Sequence, residues 1–149
     1  CGHMLATPEA GLECGCRNRG CVMSYASGRY IAQHARVRLA AGADSILGEA
    51  EDLSARDILN AYHKGDPLAK ELVGQMAQYM AVCIFNIYQL LNINLFVFGG
   101  GLVNFGDVLF GPMREIFDRY NHIPQPVDFR FAALEQDFGI IGAAELVKE

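Results

Sequence analysis

The sequence predicts a helix-rich α/β domain with few strands and a metal-organised loop at its front, and three stretches carry that reading. Leu95-Phe96-Val97-Phe98 is an unbroken apolar run that stops at Gly99-Gly100-Gly101. Continuous rather than alternating hydrophobicity predicts a strand buried on both faces, as in a parallel sheet. From Leu68 to Leu91 apolar residues recur at Leu72, Met76, Tyr79, Met80, Cys83, Ile84, Ile87 and Leu90, the spacing of one long helix. Its methionine and aromatic stripe reads as core that covers the sheet rather than as a cofactor site. The third stretch is Cys14-Gly15-Cys16-Arg17-Asn18-Arg19-Gly20-Cys21, with Gly2-His3 upstream.

Cys14 and Cys16 are too close in sequence to bridge each other comfortably, because a disulfide needs a defined separation and direction of its Cβ vectors. A zinc ion asks for four nitrogen or sulfur ligands in a tetrahedron, and Cys3His is a common structural set. His3, Cys14, Cys16 and Cys21 are therefore the predicted ligands, with Gly15 and Gly20 supplying backbone freedom around the ion. The alternative is a cluster of free or redox-active thiols.

With 149 residues the chain has one domain's worth of sequence, and a formal net charge of −5 with about half the residues apolar fits a globular protein. No run of some 18 apolar residues suggests a membrane span. Neither a basic n-region nor an apolar h-region stands at the front, so the expectation is a cytoplasmic protein without export signal. Five cysteines in such a compartment suit a metal better than a disulfide framework. Cys83 reads as a buried thiol; Cys1 is either a spare thiol or a relic of how the chain begins. Because the chain opens two residues before a proposed ligand, it reads as the C-terminal part of a longer protein, or an engineered or degenerate fragment of one.

In chain order, residues 1–23 form the zinc-binding loop and 24–149 the α/β body. A helix is expected from Ser24 to about Ala41, with Gly42 as its stop. Arg29, Arg36 and Arg38, with Arg17 and Arg19, make this end basic. A solvated helix face explains them better than phosphate or nucleic-acid contact, since no aromatic residues alternate with them. Ser54-Ala55-Arg56-Asp57 resembles a capping box opening a short helix to Gly65. Asp66 caps the long helix, with Pro67 at its first position, where the missing N–H costs nothing. After the glycines, Phe105–Tyr120 reads as an amphipathic helix that Gly111-Pro112 should kink or push to a later start. Pro124 and Pro126 bracket a linker. Val127, Phe129 and Phe131 alternate with Asp128, Arg130 and Ala132, as in a half-buried strand. Gly139–Ala144, small and apolar, suits a helix packed closely against the sheet. A strand, then glycines, then a helix is also where α/β proteins bind phosphates or nucleotides, the alternative being a plain tight turn.

Gly2-His3, then Cys-Gly-Cys-x-x-x-Gly-Cys, then Tyr25-Ala26-Ser27-Gly28 resembles the ROK family (repressors, open reading frames, sugar kinases). That family places a structural zinc beside its sugar pocket, and its members often carry a glycine after the second cysteine, where this chain has Arg17. Met23 stands where the family usually has a glutamate that contacts sugar hydroxyls. Gly99-Gly100-Gly101 resembles the V-x-G-G-G segment against the ATP site, and Asp137 with Gly139–Ala144 resembles the D-x-G-x-x-G-A-A ending. The resemblance implies the C-terminal part of a hexokinase/actin-like (RNase H-like) domain. Its nucleotide-facing residues would be Gly99, Gly100, Gly101 and Asn104, its sugar-facing residues His3 and Met23, and its cofactors structural zinc with ATP and Mg²⁺ in the parent.

The family's D-x-G-x-T phosphate loop and catalytic aspartate fall before Cys1, so no catalytic residue is expected here and the chain alone should not turn over. The implied parent is an ATP-dependent sugar kinase for a hexose or N-acetylhexosamine. Two alternatives stand beside it: the inducer-binding part of a ROK repressor, where nucleic acid would be a partner, and a degenerate homologue serving as an interaction module. Self-association into a homo-oligomer is expected from apolar surface left uncovered.

Overall fold

The computed structural model describes residues 2–7, 11–49, 52–122, 125–133 and 138–147. Cys1, Pro124 and Asp137 lie outside the described residues. After the cysteine loop and a short 3-10 turn (Val22–Ser24) come α1 (Gly28–Ala40), a 3-10 turn (Ile46–Glu49), α2 (Ala55–His63) and α3 (Pro67–Leu91). These lead to β1 (Leu95–Phe98), a 3-10 turn (Gly101–Phe105), α4 (Asp107–Tyr120), β2 (Asp128–Phe131) and α5 (Phe138–Glu145).

The helix starts are set by local chemistry. Ser27 caps α1 by accepting from the Tyr30 N–H, so α1 begins at Gly28, later than the expected Ser24. Ser54 and Asp57 form the reciprocal capping box of α2, the Ser54 N–H donating to Asp57 Oδ2 at 2.9 Å. Asp66 caps α3, accepting from the Ala69 N–H at 2.8 Å, and its other oxygen accepts from the Ile46 N–H at 3.0 Å. One buried carboxylate thus ties the turn before α2 to the start of α3. At its far end α3 stops at Asn92, which takes the left-handed conformation (φ 51°).

α3, roughly 38 Å long at 1.5 Å per residue, is the spine. It packs most extensively on α4, with α1 and α2 flanking it. Met76, Tyr88, Leu109, Met113 and Phe117 are fully buried in the seam, and Ile31 and Ile58 bring α1 and α2 into the same core. Phe117 meets Tyr88, Phe85 and Phe129 edge-on, the arrangement aromatic quadrupoles favour. α4 does not begin at Phe105: Gly106, at φ 51°, separates it from the preceding 3-10 turn, and the helix then runs through Pro112.

β1 and β2 pair in parallel, Leu95 opposite Asp128 through Phe98 opposite Phe131. The parallel pairing agrees with the sequence; burial on both faces does not. Phe96 and Phe98 turn toward the core, whereas Leu95 and Val97 remain 47% and 59% exposed. Among the described residues nothing covers that second face, so an apolar run signals what a strand can bury rather than what its own chain supplies. The same holds for α5, whose Ile140 is 74% exposed, so the close packing expected of it is not found. No helix among the described residues is long and apolar enough to cross a membrane.

Candidate metal centre and adjoining clefts

The cysteine loop folds on itself through backbone bonds. Leu5 pairs with Cys21 and Glu13 with Arg19 as antiparallel bridges. The Val22 N–H donates to the Met4 carbonyl and the Met23 N–H to the Gly2 carbonyl, both at 2.8 Å, which lays Gly2–Leu5 alongside Cys21–Met23. Arg17 N–H donates to the Cys14 carbonyl, and Cys14 N–H to the Asn18 carbonyl, closing the turn between the cysteines. Two residues here have left-handed backbones: Gly20 at φ 76° and Arg17 at φ 73°. At Gly20 a Cβ would lie 1.9 Å from the Thr7 carbonyl oxygen, so only glycine fits. Gly15 carries no positive φ; it contributes its N–H, donated to the Tyr30 hydroxyl at 2.7 Å. The freedom expected of Gly15 is needed two residues later, at Arg17.

This backbone gathers the four predicted ligands. One side-chain atom each from His3, Cys14, Cys16 and Cys21 lies within 4.8 Å of the others, a group able to hold a metal ion. Cys14 Sγ is 3.6 Å from His3 Nδ1, and Cys16 Sγ is 3.6 Å from Cys21 Sγ. Cys14 and Cys21 are buried while His3 and Cys16 are exposed. The Cys14 thiol is drawn down to about 6, first by the Cys16 backbone N–H, against its own burial, and further by Ser24 and the neighbouring thiols. Cys21 is pushed up to about 12, chiefly by burial and then by the other two sulfurs. The surroundings thus favour the thiolate of Cys14 and oppose that of Cys21.

Residues the sequence did not mark hold this loop to the body. Tyr25 stacks on Tyr79 of α3 at 3.9 Å between centroids, 19° from parallel. The Tyr25 hydroxyl accepts from the Leu12 N–H and shares a 2.7 Å hydrogen bond with the Thr7 hydroxyl. Tyr30 of α1 stands 4.0 Å from Cys14 Sγ. Two of the arginines of α1 are structural: Arg38 holds Glu71 of α3 through both terminal guanidinium nitrogens, and Arg36 bonds Asp52 and the Leu53 carbonyl.

His3 and Met23 line one cleft of about 430 Å³ with Gly15, Cys16, Ser27, Arg29 and Tyr30. Met23 also borders an apolar cleft of about 340 Å³ against β1 and α3. Just past the C-terminal end of β1, Gly101 and Asn104 line a cleft of about 590 Å³ with Ser54, Arg56 and Phe105. Gly100, at φ 83°, makes the turn into it; Gly99 precedes that turn and is not part of the lining. Arg56, on the first turn of α2, is the charged residue of that cleft that sequence reasoning passed over.

Fold and loop together define a helix-rich α/β domain carrying a metal-competent Cys3His cluster. The chain belongs to the ROK family, whose family model matches residues 1–149. It is 33% identical over 154 residues to a glucokinase of Halalkalibacterium halodurans, covering 99% of this chain and 47% of that one. A ROK family glucokinase from Streptomyces griseus, solved with glucose and AMPPNP, superposes with a TM-score of 0.79 at 30% identity, over 97% of this chain and 49% of that chain. A ROK family transcriptional regulator, a homologue of the E. coli MLC protein, superposes with a TM-score of 0.74 at 29% identity, over 87% of this chain and 33% of that one. The chain spans about half the length of the curated glucokinase relatives it matches. The fold is therefore that of ROK kinases, the hexokinase/actin-like class expected from the sequence.

Proposed function

We propose that this chain is the C-terminal portion of an ATP-dependent ROK sugar kinase, acting on a hexose or N-acetylhexosamine in the cytoplasm. The observation that carries the reading is the cleft at the end of β1, where Gly101, Asn104 and Arg56 surround a space of nucleotide size. Bare backbone at the Gly100 turn lets a ligand approach closely, and Arg56 offers a bidentate cation for phosphate. His3 and Met23 would border the sugar, and the body would position both substrates. The base for the attacking hydroxyl and the phosphate loop would come from the other half of the parent, so this polypeptide alone is expected to show no sugar-dependent ADP release.

Zinc is the proposed metal. With Zn–S near 2.3 Å and Zn–N near 2.0–2.1 Å, tetrahedral angles set sulfur–sulfur separations of about 3.8 Å and sulfur–nitrogen separations of about 3.6 Å. Two of the six separations in the cluster, Cys14 to His3 and Cys16 to Cys21, are 3.6 Å, and all six fall within 4.8 Å. When bound, the ion would fix the loop, and with it His3 and Met23, without entering the chemistry. Elemental analysis should find about one zinc per chain in reduced protein, lost in Cys14→Ser together with thermal stability.

The kinase reading is tested by equilibrium binding of Mg-AMPPNP to this chain. Arg56→Ala should weaken binding roughly tenfold, about 1.4 kcal/mol. Binding that Arg56→Ala leaves unchanged, or no binding at all, would count against it. A second reading, the inducer-binding part of a ROK repressor, draws on the likeness to the transcriptional regulator; it expects sugar binding with none of the nucleotide. The exposed Leu90, Leu91, Leu95 and Val97 support self-association of the chain, which sedimentation velocity would report.

A further inference from the structure

We propose that Cys16 and Cys21 form a peroxide-sensitive latch on the metal loop, closing to a disulfide and releasing the ion; this rests on the zinc reading above. The four ligands are unequal. Cys16 is exposed, whereas Cys14 and Cys21 are buried. A hydroperoxide in solution therefore meets the Cys16 sulfur first. Cys21 Sγ stands 3.6 Å behind it, already in contact. Cys14 is a poorer partner, because its sulfur faces His3 Nδ1 and the Tyr30 hydroxyl, and a single intervening residue disfavours a Cys14–Cys16 bridge. Cys83 is buried on α3, outside the cluster.

To bond, the two sulfurs must close from 3.6 Å to about 2.05 Å. Residues 17–19 between them are exposed while Gly20 beside Cys21 is buried, so the movement falls to the exposed Cys16 side.

The Cys16 sulfur attacks one peroxide oxygen, the O–O bond breaks, and the alcohol or water departs after taking a proton from solvent. The resulting sulfenic acid is attacked by the Cys21 sulfur; its S–O bond breaks and hydroxide leaves as water with a second solvent proton. Two zinc-bound thiolates are oxidised by two electrons, one hydroperoxide is reduced, and Zn²⁺ leaves with its charge unchanged. His3 and Cys14 alone supply half a tetrahedron, too few ligands to retain it. The loop that carries Met23 and His3 then loses one of the ties that hold it, so oxidant and sugar edge become linked.

The test uses the zinc-loaded chain and hydrogen peroxide, with zinc release followed by a chromogenic chelator and disulfides mapped on tryptic peptides. Trypsin cuts after Arg17 and Arg19, so a Cys16–Cys21 bridge joins two otherwise separate peptides, and fragmentation distinguishes Cys16 from Cys14 and Cys1. The expected result is one zinc released per Cys16–Cys21 disulfide, reversed by dithiothreitol with added zinc. Zinc that stays bound under peroxide, or leaves with a different bridge or with sulfinic acid instead, overturns the latch while sparing the metal site. No zinc before any oxidant is added overturns the metal reading, and the latch with it.

Discussion

Replacing Arg17 with glycine should stabilise this protein. Arg17 holds φ at 73°, a conformation that costs an L-residue about 1–2 kcal/mol. Glycine adopts it freely but has more unfolded-state entropy to lose, about 0.5–1 kcal/mol. Around the middle of the two ranges the difference is a gain of about 0.5–1 kcal/mol. Among the described residues nothing else of consequence is removed: the Arg17 N–H donated to the Cys14 carbonyl is backbone, and the side chain is exposed. With a urea m-value of about 2 kcal/mol/M, the midpoint should rise by about 0.25–0.5 M at unchanged m. The melting temperature should rise by about 1–4 °C for a chain of this length. Arg17→Ala keeps the Cβ and hence the strain, so it should show no such gain. If the alanine variant matched or exceeded the glycine variant in zinc-saturated buffer, the attribution to backbone strain would be wrong.

Other outcomes can be checked on the same preparations. At Asp66, burial works to raise the carboxyl, but the N–H groups of Ala69 and Ile46 outweigh it and hold the acid below its usual range. Its contribution is therefore present above about pH 4 and lost as pH falls through the lower folded value. Wild type should outdo Asp66→Asn at neutral pH by an amount that shrinks in acid, whereas a pH-independent difference in urea midpoints would contradict this. Asp66→Ala, which strips both donors of their acceptor, should cost about 1–3 kcal/mol. Tyr88 is 2% exposed and its hydroxyl finds no partner among the described residues. Tyr88→Phe should gain about 1 kcal/mol by thermal or urea melting, and a loss would reveal a partner the hydroxyl depends on.

How much of this was legible in the sequence depends on the range of the forces involved. The caps at Ser54 and Asp66 and the pairing of Pro67 with a helix start are settled within four residues, and all stand where the sequence put them. The gathering of Cys14, Cys16 and Cys21 was legible for the same reason, since all three lie within eight residues, and the structure adds His3 to them as a group able to hold a metal ion. Leu95 and Val97 were misjudged because hydrophobicity reports a capacity for burial, and among the described residues nothing covers them. The left-handed residue of the metal loop was also misplaced, on Gly15 instead of Arg17, because residue type announces glycine's freedom but not where the hydrogen bonds demand it.

What braces the metal loop was beyond local reading altogether. Tyr79 looked like one more member of the α3 stripe, yet its ring lies flat on that of Tyr25, 54 positions earlier, at 3.9 Å. Tyr25 in turn spends its hydroxyl on Thr7 and Leu12, inside the loop. A loop held only by an ion would reorganise when the ion left; one also stacked on the longest helix retains part of its path. The backbone bridges and the tyrosine pair tie down the loop that carries the four ligand atoms. Zinc should consequently bind a partly prepared site, and Tyr79→Ala should weaken zinc binding without removing a ligand. Competition with a chelator would read that loss, and unchanged affinity would mean that the stack holds the loop's position but not its shape.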